Sequence, residues 1–495
     1  MGAGSHSTIL QQLEGRSLRA CQGVFRCDWP NRVGTMEYST SSIMSDGVAA
    51  CRRSARATTS AVHVAVLLLT ACGFPRPPDV GDDGGSSEPG TAVRVSPSGD
   101  DANDGMNLPV KTLKHALGLA AANTQISKVI LATGRYSADS GETFPYTIQA
   151  NLLVIGPAGG GAIVAGNGSE PALLLRDASL RDMEFESFGV VIDSTGATSL
   201  TNVRVRGSST AVRGHAGAAL TINNLDITGA ASACASGILL NDTADLKVNM
   251  LATRGLGTML DSRDHTTSEL VNVNVAGDLA CANSVIKITS DRTFSLRDSL
   301  LDMGNGGMNI ASPPSGPQTN VTLTGVSIHN IKGSAIGLAH ASLQMIGGEL
   351  AHNGMTGPVI SAFDTTLSLM DVTITQNPGL VTYLQKTITT LRRCTVIGNG
   401  GGLDISVVDP SVTDLGTATS AGDNTFQSNS RELTIEGSDF SPQREVNAIG
   451  NTWNPSVQDA DGAGHYDPTL VVPGSSSGIF GPNYALTGSM ISLRL

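Results

Sequence analysis

The chain is 495 residues long, with 58 Gly, 4% aromatic and 15% charged residues. Low charge beside moderate apolar content excludes a wholly disordered chain, and many Gly with few rings suits frequent tight turns around a core of Val, Ile and Leu. A formal net charge of −12, with no Lys/Arg stripe to override it, repels phosphate backbones and excludes nucleic acid as a partner.

In chain order, the first element is an export signal at residues 44–72. Arg52, Arg53 and Arg56 form a positive n-region, and Ala61 to Leu69 (AVHVAVLLL) form an apolar h-region. That run is about half of the ~20 residues a membrane span needs, as expected of a cleaved signal. Leu69-Thr70-Ala71-Cys72 resembles the lipobox of bacterial lipoproteins. The resemblance implies acylation of Cys72 and attachment of the exported protein to a membrane of the cell envelope. Gly73, rather than Asp, after the Cys points to the outer membrane, with the facing side open. Met44 stands 28 residues before Cys72 and is expected to be the true start, residues 1–43 being a mis-called extension. Residues 73–90 (GFPRPPDVGDDGGSSEPG) have the Pro, Gly and Ser content of a flexible tether, and this N-terminal region is expected to be disordered.

Residues 91–460 read as one repeat domain, followed by a tail at 461–495. Val93 to Val95 is a short strand, Gly99 to Gly105 (GDDANDG) is a turn, and Thr112 is an N-cap. Leu113, Ala116, Leu117 and Ala120 fall at helical spacing, giving one amphipathic helix to cap the first rung. From residue 180 a phrase recurs: apolar, two residues, apolar, one residue, apolar, then a turn. LTNVRVRG from Leu200, LTGVSIHN from Leu323, LMDVTITQN from Leu369 and LRRCTVIGN from Leu391 are clear copies. Ten copies start at Leu180, Leu200, Ile222, Val248, Leu270, Leu296, Leu323, Met345, Leu369 and Leu391, spaced 20 to 27 residues apart.

Two-fold alternation inside the phrase is a strand with one buried face, so Val203, Val372 and Val396 are expected inside. Gly or Asn closes each copy, from Gly189, Gly207, Gly229, Gly255, Gly277 and Gly304 to Asn330, Asn353, Asn377 and Asn399. Both types tolerate the left-handed backbone of a sharp corner. A second short apolar strand follows, as at Ile336 to Leu338. Such repeats exclude helical solenoids and propellers. The fold expected is all-β, a right-handed parallel β-helix of about ten or more rungs, with Phe426 and Trp453 plugging its far end.

Cys234 and Cys281 lie about two repeats apart and could bridge in an oxidising periplasm; small buried Cys at inward positions is the reading favoured. No Cys/His spacing suggests zinc.

The stretch SPSGDDANDGMNLPVKTLKHAL (96–117), GETFP (141–145) and AIGNTW (448–453) resemble a bacterial family of right-handed parallel β-helix proteins of the pectate-lyase-like superfold, domain of unknown function 1565. The resemblance extends over roughly residues 91–460. It implies the fold and a cell-surface setting, and no reaction.

Catalytic signals are thin. Gly214-His215-Ala216-Gly217 is a fragment of a polygalacturonase-like set whose other parts are absent. Asp261, Asp264 and His265, with Arg263 and nearby Glu269, form one tight charged cluster, read as a between-rung loop. Asp100, Asp101 and Asp104 are weak calcium candidates, with turn chemistry preferred. Asp182, Asp298 and Asp371 share the third phrase position with Asn202, Asn224 and Asn272, explained by Asx side chains bonding local backbone at a bend. The function expected is a non-catalytic structural or carbohydrate-binding envelope protein, despite scarce aromatic platforms. A diverged polysaccharide lyase or hydrolase acting on an acidic glycan is the alternative.

Overall fold

The computed structural model describes residues 92–454, apart from breaks at 170, 231–233, 265, 291, 407–411, 430–432 and 437–443, together with the strands His465–Tyr466, Gly478–Phe480, Tyr484–Thr487 and Ile491–Arg494. They form an all-β parallel solenoid of about eleven turns. Each turn has three straight runs, for example Ser179–Arg181, Glu184–Glu186 and Val190–Ser194. The first two runs of every turn belong to one large sheet and the third to a second sheet. Strands beyond residue 460 join both: Tyr484–Thr487 pairs with Leu433–Glu436, and Ile491–Arg494 with Arg444–Asn447.

The ten phrase starts stack in register, from Leu180 beside Leu200 to Leu369 beside Leu391. All ten are buried, each contributing about 1.5–3 kcal/mol by leaving water. Val203, Val372 and Val396 are also buried. Val396 stands in the column of Ile374 and Phe426, beside the column of Val372. Trp453 follows Phe426 in register.

The two-residue gap in the phrase is a bend between the first and second runs. At its third position all ten copies have positive φ, between +49° and +67°. Asp182, Asn202, Asn224, Asn272, Asp298 and Asp371 adopt this conformation readily, Gly325 and Gly347 without strain, and Met250 and Arg393 at a cost of about 1–2 kcal/mol each. The side chains bond between rungs rather than to local backbone. Asn202 Nδ2 donates to Asp182 Oδ1 at 2.8 Å and Asn224 Nδ2 to Asn202 Oδ1 at 3.0 Å. Arg393 grips both oxygens of Asp371 at 2.7 Å.

The second corner differs from expectation. Gly207, Gly255 and Asn330 have positive φ, but at Asn353, Asn377 and Asn399 it is the preceding residue (His352, Gln376 or Gly398) that does. These three asparagines are buried, and each Nδ2 donates to a carbonyl in the rung below: Ile328, Leu350 and Ile374. Gly229 and Gly277 are needed for closeness, because a Cβ there would lie 2.1 and 2.2 Å from the carbonyl oxygens of Gly255 and Met303.

The helix α1 spans Leu113–Ala122 and buries Leu113, Ala116, Leu117 and Ala120 against the first strands. The Thr112 hydroxyl accepts from His115 N. Buried Glu142, of the GETFP motif, accepts from Leu113 N at 2.7 Å and Lys114 N at 3.3 Å, so that motif fixes the helix start.

Cys234 and Cys281 form a disulfide. The preference for unpaired core cysteines fails because both lie in corner loops outside the strands. Their separation of 47 residues is two turns of chain, which brings the loops together, with Gly257 packed against Cys234.

Candidate functional site

The outward face of the second sheet gathers most of the chemistry. Its strands open on successive inward residues, such as Val191 with Ile192 and Ala211 with Val212, and then alternate, so that side chains two apart leave the core together. One outward column runs Asp193, Arg213, Leu239, Asp261 and Lys287. It continues through Asn309, Gly337 and Ser361 to Tyr383, with Asp404 next in register. A parallel column two residues on runs Arg263, Thr289, Ala311, Ala339, Phe363 and Gln385.

The early rungs of this face are charged. Asp193 pairs with Arg213 at 3.7 Å and with His215 through a short contact to Nε2, which is where the Gly214-His215 fragment lies. Asp261 is on the strand Thr258–Arg263, not in a loop as expected, because Ser262 between it and Arg263 is a buried inward position. The Arg263 guanidinium holds the Asp261 carboxylate, with Nε donating to Oδ1 at 3.0 Å. That bond is the main cause of the raised pKa of Arg263. Asp264 follows at the corner, exposed, with φ of 60°. His265 lies outside the described residues. Glu269 belongs to the large sheet and pairs with Arg297 at 3.1 Å. The structure therefore joins Asp261 to Arg263 and draws Glu269 elsewhere.

The opening-turn carboxylates serve backbone donors. Asp100 Oδ1 accepts from Ala102 N at 3.0 Å. Asp101 accepts from the backbones of Lys111 and Thr112, both at 2.8 Å, and from the Thr112 hydroxyl. Slight burial opposes its charge, but these donors outweigh it and hold its pKa below the ordinary range. Asp104 accepts from Asn107, whose backbone and side chain lower its pKa, and from Met106. Among the described residues, no group of three or more His, Cys, Asp or Glu is placed to hold a metal ion. Cys72 lies outside the described residues.

The later rungs carry what sequence reasoning missed. Phe363 is 47% exposed and Tyr383 38%, and they stand on adjacent strands of this face. Among the described residues they are the two exposed aromatic side chains; Tyr136, Tyr146, Phe185, Phe188, Phe294 and Phe426 are buried. Polar groups surround the pair. Gln385 Nε2 donates to the Tyr383 hydroxyl, and Lys386 Nζ sits 5.5 Å from the centre of the Phe363 ring. Beside them His340 Nδ1 meets Asp364 Oδ2 at 3.0 Å while Nε2 meets the Gly316 carbonyl, also at 3.0 Å. The bond to Asp364, then that to Gly316, raises the His340 pKa. The loop 313–318 is thereby pinned beside the Ala311–Ala339 column. The missed signal was the outward position of the second strand in PVISAFD and LVTYLQK.

No curated protein matches this chain. A solved structure, the catalytic domain of a GH87 alpha-1,3-glucanase in complex with tetrasaccharides, is similar at 12% identity with a TM-score of 0.36, over 82% of this chain and 70% of that one. The family match covers the opening turn, α1 and the first rungs, a shorter stretch than the 91–460 over which the motifs are spread. Residues 97–231, at the opening of the solenoid, match the model of the family described as Protein of unknown function (DUF1565).

Proposed function

We propose that this chain is a non-catalytic carbohydrate-binding protein of the bacterial cell envelope, held to the membrane by acylated Cys72. The observation that carries the reading is the exposed pair Phe363 and Tyr383 on adjacent rungs, ringed by hydrogen-bonding side chains. Neighbouring exposed rings rimmed by polar groups are the kind of surface that binding sites use, and a ring face flanked by amide, hydroxyl and ammonium groups matches a sugar, which offers C–H groups on one face and hydroxyls at its rim. Two features weigh against catalysis on this face. Asp261 is committed to Arg263, and Asp193 stands three rungs away, about 14 Å at the usual strand spacing. Paired carboxylates that cleave glycosides sit about 5–9.5 Å apart. The disulfide between Cys234 and Cys281 supports an oxidising compartment outside the cytoplasm.

The test is a glycan array probed with the purified protein and with a Phe363→Ala/Tyr383→Ala variant. Binding by the parent that the variant loses, while keeping its thermal transition, supports the reading. Soluble product from uronate polymers, lost in Asp264→Ala, would replace it with the lyase or hydrolase alternative.

A further inference from the structure

We infer that the site takes an anionic glycan, a chain of carboxylated or sulfated sugars, laid along the solenoid axis from Tyr383 to Lys287. This rests on the carbohydrate-binding reading and names its ligand class. Between the aromatic end and Lys287 the outward columns shrink to a floor of Asn309, Gly337 and Ser361 in one column and Ala311 and Ala339 in the other. No long side chain interrupts that floor. From Lys287 to Tyr383 is four rungs, about 19 Å at ~4.8 Å per rung, room for several sugar units in extension. One rim is the loop 313–318, fixed by the bond from His340 to the Gly316 carbonyl. Exposed Met355 and Leu380 precede the strands on the other side.

Charge selects among polymers. The protein is acidic overall, at −12, yet this face is not. Asp193, Asp261 and Asp364 are each paired, with Arg213, Arg263 and His340. Among the described residues Lys287 and Lys386 have no carboxylate partner, so two cations remain near the ends of the floor. A neutral chain would use the rings alone, whereas an anionic one also engages both ammonium groups without displacing an ion pair.

The experiment measures binding of the full chain to immobilised alginate (carboxylated), dextran sulfate (sulfated) and neutral dextran at low and high salt. It compares the parent with Lys287→Ala/Lys386→Ala, Ala339→Trp, Ser361→Trp and Phe363→Ala/Tyr383→Ala, each checked for an unchanged thermal transition. Salt-sensitive binding to alginate or dextran sulfate, weakened at least tenfold by the lysine variant and by either tryptophan, is expected, and which polymer binds separates carboxylate from sulfate. Equal binding to neutral dextran with no lysine effect, but loss in the aromatic variant, overturns the anionic ligand and leaves the carbohydrate reading standing. Full binding by both tryptophan variants overturns the track. No binding to any polymer here or on the glycan array overturns both.

Discussion

Asn377 and Asn399 occupy the same corner on successive rungs, and Oδ1 of Asn399 accepts from both the backbone N of Asn377 at 3.1 Å and its side-chain Nδ2 at 2.8 Å. Asn377 repeats this toward Asn353, taking its backbone N at 2.7 Å, and Asn399 passes the pattern to Asn429. The ladder satisfies corner amides that would otherwise be buried without partners. In Asn377→Leu, the amide of Asn353 and the carbonyl of Leu350 lose their partners, at about 1–3 kcal/mol each. We expect a loss of about 3 kcal/mol by chemical denaturation. A change below about 0.5 kcal/mol would show that the ladder is dispensable.

Glycines on this chain should separate by environment. Gly118 lies in α1 with nothing near its Cβ direction, whereas a Cβ at Gly229 would meet the Gly255 oxygen. Gly118→Ala is expected to stabilise by about 0.5–1 kcal/mol through helix propensity. Gly229→Ala is expected to destabilise by several times that, through displacement of the neighbouring rung. Thermal melts of the two variants shifting in the same direction would contradict this.

The disulfide closes a 47-residue span. Cys234→Ser/Cys281→Ser, or reduction of the parent, should lower stability by about 2–4 kcal/mol. A melt unchanged by reductant would mean that the bond contributes nothing to the fold.

His340 should report pH locally. Its folded pKa is raised above the ordinary 6.5, so the stabilisation is complete below 6.5 and is lost as pH rises through the folded value. Protonated, the ring donates to both Asp364 and Gly316; neutral, it has one N–H for the two. Asp364 is the acid facing it, with Lys386 close by over Phe363. An NMR titration should give a midpoint above 6.5 that falls in Asp364→Asn, with faster proteolysis of loop 313–318 at higher pH. A midpoint at or below 6.5 would refute the pairing.

Cys72→Ser is expected to abolish lipid labelling and release soluble protein from envelope membranes. Equal membrane association of variant and parent would rule out the anchor.

The rungs were legible because the interior demands a fixed apolar register: Leu200, Leu323 and Leu391 announce it by spacing alone. The bend at the third position was visible as Asp and Asn. The inter-rung bond from Asn202 to Asp182 was not, because it depends on which residues stack. The corner asparagines were seen but misassigned: Asn is chosen at Asn377 for hydrogen bonding, while Gln376 adopts the left-handed backbone. The candidate site was least legible. Phe363 and Tyr383 lie 20 positions apart in sequence, and only strand register makes them neighbours. The tight charge cluster that stands out in the sequence holds Asp261 and Arg263, which neutralise one another.

A crystal structure of the protein with a bound oligosaccharide from the polymer it retains tests the central claim most directly. The account predicts sugar rings stacked on Phe363 and Tyr383 with the chain continuing over Ser361 and Ala339. Sugar bound elsewhere, with both rings still facing bare solvent, would contradict it.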